Sequence, residues 1–223
     1  MEWKDWYLDV IFVPSGFLIF VSYHIWLWRR VRSQPFTTTV GRNARGRRFW
    51  VSSIIKDNVK KDIVAVQTLR NSIMGSSLMA TAAVLLCGGM AAFFSSIKEP
   101  MNGGHGEFML ALKFVAMMAL LIFSFVFFSI SIQIMGQVNF LVNCPVEEDS
   151  TPEYLTELLE RGFSFNMVGN RLFYAAVPLL LWISGPLLVF LCCLAEVIVL
   201  YTSDFVLLED RKVQAQVYGN GLC

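Results

Sequence analysis

The chain is poor in the side chains that most catalytic chemistry needs. It has two histidines, His24 and His105, and five cysteines, none of them in a C-x-x-C pair. Zinc-type ligand spacing is absent. So are a nucleophile beside a base and a paired-carboxylate motif, which leaves no support for the common hydrolytic or metal-dependent reactions. The expectation is a protein that is not an enzyme, with no cofactor and no metal. Cys87, Cys192 and Cys193 fall in apolar stretches, where small soft side chains are ordinary filler. Cys144 fits either an inert thiol or an acylation site, and Cys223 does not fit a prenylation box. Charged residues make up only 16% and the net charge is +1, so no nucleic-acid partner is expected. The N-terminal Met1-Glu2-Trp3-Lys4-Asp5-Trp6 lacks the basic region and cleavage site of a secretory signal, so the first apolar stretch is expected to remain as an anchor.

Hydrophobic residues are abundant instead: they make up 56% of the chain, including 19 Phe. A bilayer core of about 30 Å takes about 20 helical residues. Four stretches reach that length: residues 7–28, flanked by Trp3, Trp6, Trp26 and Trp28, then 72–94, 108–135 and 172–201. The expectation is an all-α membrane protein, one four-span domain over residues 1–223, in the plasma membrane or an endomembrane. The fourth stretch is long, and Pro178 with Ser184-Gly185-Pro186 should bend it. The kink is either structural or the lining of a cavity.

Residues 29–70 hold 11 of the 18 Lys and Arg residues. Basic segments beside membrane spans stay on the cytoplasmic side. Loops 29–71 and 136–171 should therefore be cytoplasmic, and both termini non-cytoplasmic. Neither loop reads as unstructured. Phe49, Trp50, Ile54, Ile55, Val59, Ile63, Val66 and Leu69 recur at helical spacing, opposite Lys56, Lys60 and Lys61. With no Pro or Gly before Ser72, that helix is expected to run into the second span. Thr151-Pro152-Glu153 reads as a helix start, and Tyr154, Leu155, Leu158 and Leu159 continue it to an end near Gly162. The acids Glu147, Glu148, Glu153, Glu157 and Glu160 face the arginines in charge. Arg45, Arg47 and Arg48 are expected to contact lipid phosphates or this acidic loop, with Trp50 near the interface, or else to form a solvated charge run that only sets topology.

Several local patterns carry a resemblance. They are Gln67-Thr68-Leu69-Arg70-Asn71-Ser72-Ile73-Met74, Val138-Asn139-Phe140-Leu141-Val142-Asn143, Arg161-Gly162, Gly169-Asn170-Arg171-Leu172-Phe173-Tyr174, Pro178-Leu179-Leu180-Leu181-Trp182 and Gly185-Pro186. As a set the chain resembles the plant and bacterial membrane family known only as domain of unknown function five-nine-nine. The resemblance implies a four-span helical protein and transfers no site residue.

Ionisable residues within spans are costly and point to an interior or an aqueous path. Asp9, Lys113 and Glu196 form one such set. In the four-span frame they converge on one depth near the outer boundary, Glu196 about 7–8 Å below Tyr201 and Lys113 about 7–8 Å below Phe108. They read as an ion or proton site, or as independent snorkelling and a structural ion pair. Ser129, Gln133 and Gln137 share a face of the third span. With His24, Asn139 and Asn143 they form either hydrogen bonds between helices or a polar inner vestibule. Gly75, Ala80, Gly88, Gly89 and Ala92 give the second span a flat surface, for contacts within one chain or between two. Asn102-Gly103-Gly104 is a turn, not a phosphate cradle.

The leading expectation is a small oligomeric channel or transporter for an ion or small solute. The alternative is a non-catalytic adaptor that binds anionic membrane lipid or a protein through its basic loop. A homo-oligomer fits the first, since four spans leave little room for a pore in one chain.

Overall fold

The computed structural model describes residues 2–56, 62–96, 104–142 and 152–205. The expectations for Lys60, Lys61, Lys98, Asn102, Gly103, Asn143, Cys144, Glu147, Glu148 and Cys223 lie outside the described residues, as do those for the side chains of Trp3, Trp6, Lys56 and His105. Among the described residues every regular element is helical: α1 Glu2–Ser33, a short 3-10 turn Pro35–Thr37, α2 Thr39–Lys56, α3 Asp62–Ser96, α4 Gly104–Leu141, α5 Pro152–Leu181 and α6 Pro186–Asp204. Among the described residues four stretches are long and apolar enough to cross a membrane: Tyr7–Ser33, Ile63–Ser96, Phe108–Leu141 and Pro186–Asp204.

The fourth stretch differs from the expected single kinked helix over 172–201. It is two helices, and the first of them begins in the segment read as a loop. Pro178 lies inside α5 and does not end it. The stop comes at residues 182–185, where Ser184 and Gly185 donate their backbone N–H to the Leu181 carbonyl at 2.9 and 3.2 Å. Gly185 has φ +150°, which L side chains rarely adopt. Pro186 then starts α6, where its missing N–H costs nothing and its ring disfavours helix at the residue before it. The helix expected to end near Gly162 instead runs on to Leu181. A glycine at a buried helix contact does not stop a helix when neighbouring helices hold it.

The chain divides into two compact units, Met1–Gly46 with Pro186–Cys223, and Arg47–Gly185. In the second, α4 buries Phe114, Met117, Leu121, Ser124, Phe128, Ser131, Met135 and Val138, a strict alternation of three- and four-residue steps. α5 answers with Leu155, Leu159, Gly162, Gly169 and Ala176. That repeat makes a left-handed two-helix seam. The helices run antiparallel, because Ser131 donates to the Gly162 carbonyl at 2.8 Å and Ser124 to that of Gly169 at 2.9 Å. α3 lies antiparallel to α4, with Phe94 on Phe114 at 4.6 Å between centroids. Asn166 of α5 donates to Ser76 of α3. At one end Val51, Leu69, Val138, Leu155 and Leu159 form a core that draws in α2, α3, α4 and α5.

In the first unit the 3-10 turn leads into α2 through Thr38. Its buried hydroxyl accepts from the Gly41 N–H at 3.3 Å, which caps the helix start. Gly41 is required there, since a Cβ would collide with the Pro35 carbonyl.

Candidate functional site

Two helices of the first unit hold the strongest candidate. On α1, Val13, Gly16, Phe20, Tyr23 and Leu27 are buried at three- and four-residue steps. On α6, Val189, Cys193 and Leu200 are buried in the same rhythm, and Glu196 falls on that stripe. The helices run parallel. The rings of Phe12 and Phe190 lie 5.7 Å apart, a Cβ on Gly16 would lie 3.2 Å from Cys193 Sγ, and Trp26 stacks on Tyr201 at 6.2 Å. Gly16 thus lets α6 approach closely, one turn before Glu196.

Glu196 lies ten residues after the start of α6 and eight before its end. At ~1.5 Å per residue that is about 15 Å and 12 Å, close to the middle of a bilayer core. Its Oε2 is buried and has no hydrogen-bond partner among the described residues. A carboxylate so placed is expensive to keep charged.

At the far end of the seam a second carboxylate is fully engaged. Asp204 is 4% exposed and accepts from the Tyr23 hydroxyl at 2.7 Å. Thr39 donates to the Ser203 carbonyl at 2.7 Å, and Thr38 forms a single antiparallel bridge with Phe205. Trp26, Tyr201 and Phe205 stack over this end, with Tyr201 and Phe205 at 5.0 Å. The start of α2 and the end of α6 are therefore clasped together.

Of the sequence-derived set Asp9, Lys113 and Glu196, the two carboxylates do not share one depth. Gly16 abuts Cys193, Asp9 lies seven residues before the former and Glu196 three after the latter, so about 15 Å of helix axis separates the carboxylates. The reason is direction: a parallel α1 and α6 displace what antiparallel helices would bring level. Lys113 belongs to the second unit. Its ammonium donates to the Trp182 carbonyl at 3.4 Å and lies 4.9 Å from the Trp182 ring. A cation at the C-terminal end of α5 complements the helix dipole.

The expected inner polar face is placed otherwise as well. Gln133 and Gln137 are exposed, and Ser129 donates to the Phe125 carbonyl of its own helix. All three point away from the α4–α5 seam, whose polar members are Ser124 and Ser131. Asn139 is half-buried beside Val138. His24 Nδ1 lies 2.8 Å from the Phe20 carbonyl, at a shallow depression of about 270 Å³ formed with Phe20, Val21, Ile25 and Trp28. Its setting is apolar, not a vestibule.

The basic segment meets the acidic one. Arg47 donates to Glu160 through Nε at 2.9 Å and Nη2 at 2.7 Å, and its guanidinium lies 4.5 Å from the Phe163 ring. Arg48 and Ser52 face Pro152, Glu153, Thr156 and Glu157 across a cleft of about 500 Å³. Arg45 is exposed and lies 5.2 Å from the Phe36 ring. Trp50 is half-buried against the core around Val51 and Leu155. Gly75, Gly88 and Gly89 have open space where a Cβ would stand, while Ala80 and Ala83 are buried. Among the described residues no three His, Cys, Asp or Glu side chains converge on a metal-sized site.

Sequence reasoning missed Tyr23, Asp204, Ser76, Ser124, Ser131 and Asn166. The alternating three- and four-residue steps through Ser124 and Ser131 were a usable signal for two of them.

Residues 11–207 match the family model described as "Protein of unknown function, DUF599". No curated protein and no solved structure matches the chain. With most of its length inside that match, and with four helices apolar enough to cross a membrane, the chain belongs to the DUF599 family.

Proposed function

We propose that the protein is a small membrane channel or transporter that passes a proton or small cation, with Glu196 as the exchanging carboxylate. The observation that carries this reading is a half-buried carboxylate near the middle of α6, on the stripe that packs against α1, with an oxygen that no described group satisfies. Buried structural carboxylates are normally tied to a donor, as Asp204 at the end of α6 is to Tyr23. Phe20 and Tyr23 supply an aromatic wall along the same seam. The basic residues of 29–70 support a cytoplasmic placement of that segment and a non-cytoplasmic start of α1. More than one chain supplies room for a pathway, and the open Gly75, Gly88 and Gly89 positions on α3 offer a surface for a second copy.

The test is purified protein in liposomes that carry an internal pH dye, under an imposed potassium diffusion potential. Flux above empty vesicles, lost in Glu196→Gln at unchanged melting temperature, supports the reading. Equal flux in the variant, or none in the parent, removes it.

The adaptor reading keeps one specific support. Arg45 and Arg48 stay exposed on a helix that the Arg47–Glu160 pair holds in place. A pre-ordered basic helix binds an anionic surface at a lower ordering cost.

A further inference from the structure

We infer that the described helices cross the membrane five times, with α5 as the additional crossing, so that α6 ends on the same side as the basic segment. This rests on α1, α3, α4 and α6 being transmembrane and on no other part of the transport reading.

The parallel course of α1 and α6 forces the count. A helix that crosses a membrane moves the chain to the other face. α1 leaves the chain on the side of Arg29–Ser33, α3 returns it and α4 brings it back, so Leu141 lies on the basic side. α6 runs in the same direction as α1, as Phe12 on Phe190, Gly16 on Cys193 and Trp26 on Tyr201 establish. Pro186 must therefore stand on the opposite face from Leu141. Residues 142–185 have to make that passage, and among the described residues of that stretch α5 is the helix available to do so.

Its own features agree. α5 is antiparallel to α4, with Gly162 opposite Ser131, Gly169 opposite Ser124, and Trp182 opposite Lys113. It thus follows a membrane helix along nearly its whole length. Residues 162–181 contain Arg171 as their one charged residue and span ~30 Å, the thickness of the hydrocarbon core. The charged stretch Glu153, Glu157, Glu160 and Arg161 lies before them, at the end where α2 docks. Close contact through glycines, with serine hydroxyls on facing carbonyls, is how membrane helices associate. The polar groups Asn166 and Asn170 are satisfied within the unit: Asn170 donates to Asn166 at 2.8 Å, and Asn166 to Ser76.

The consequence reaches the candidate site. The Tyr23–Asp204 pair and the Thr39–Ser203 clasp fall on the basic side. Glu196 then sits between the two faces, with Asp204 about 12 Å away toward the basic side.

The experiment places different epitope tags before Met1 and after Cys223 and treats sealed vesicles with protease, with and without detergent. Tags protected on opposite faces are expected, and tags on one face would overturn the inference. A variant with its native cysteines changed to Ser and carrying Ser184→Cys adds a readout that terminal processing cannot mimic. Labelling of the introduced thiol by a membrane-impermeant maleimide from the N-terminal tag's side is expected, and labelling from the other side alone overturns the proposal. Neither readout measures flux, so this inference and the transport reading fail separately.

Discussion

The hydroxyl of Tyr23 donates to Asp204 at 2.7 Å across 181 positions of sequence. It ties the last turn of α6 to the seam face of α1, beside the clasp of Thr39 on Ser203. A carboxylate 4% exposed depends on such donors, because burying it unsatisfied costs far more than the bond returns. Tyr23→Phe is expected to destabilise the protein by about 1–3 kcal/mol. Thermal unfolding in detergent should show a fall of several degrees, smaller when Asp204→Asn is added, since a neutral amide has less need of the lost donor. An unchanged midpoint in Tyr23→Phe would contradict this.

Glycines along the helices should divide sharply by surroundings. A Cβ on Gly169 would sit 3.1 Å from the Phe128 ring, and one on Gly162 3.2 Å from Met135 Cγ. Phe128 is fully buried, so it has little room to yield. Gly169→Ala is expected to cost about 1–3 kcal/mol through overpacking. Gly88→Ala, with nothing within 4 Å, should be neutral or stabilising by up to ~1 kcal/mol from helix propensity. Melting temperatures of the two variants side by side check the pair.

The bidentate Arg47–Glu160 contact should couple more strongly than its neighbour Arg161–Glu157. The first pair has side chains 20% and 21% exposed, the second 63% and 64%. Two parallel charge-assisted bonds at low exposure support a coupling of roughly 1–2 kcal/mol, whereas an exposed pair one helical turn apart gives about 0.3–0.5 kcal/mol. Double-mutant cycles with Gln at each position, read by thermal unfolding, measure both. Equal couplings would remove the distinction.

Helix content and the first three apolar helices were legible because each is a long run with few charges. The docking of basic on acidic segments was legible in outline, and Arg47 with Glu160 realises it. Chain direction was not. Gly185-Pro186 reads equally well as a kink within one span and as a break between two, and a hydropathy run from Leu172 to Tyr201 is continuous across it. The positive φ at Gly185 decides for the break, and no composition rule reports a dihedral angle. Once that helix is divided, the last apolar stretch is α6 alone, and Glu196 moves from near the end of a span to its middle. Arg171, Asn166 and Asn170 lower the apolar character of α5, so composition does not mark it as a candidate span. Asn166 finds its partner on another helix, so only tertiary structure reveals that such a segment is tolerated.

Lipid binding by the basic helix should rest on the arginines that Glu160 does not hold. Arg47 is committed to Glu160, whereas Arg45 and Arg48 are exposed. Each cation near an anionic leaflet contributes about 1 kcal/mol. Changing Arg45 and Arg48 together to Gln is therefore expected to remove about 2 kcal/mol, roughly a thirtyfold loss of affinity for vesicles rich in anionic lipid. Arg47→Gln should weaken binding less, and chiefly by loosening α2 from α5. The interaction should fade as salt rises, because exposed charges are screened within about 10 Å at 0.1 M. Flotation of detergent-solubilised protein with anionic and neutral vesicles across a salt series measures this directly. Binding of the Arg45/Arg48 double variant equal to the parent at low salt would show that these two side chains set orientation and do not contact lipid.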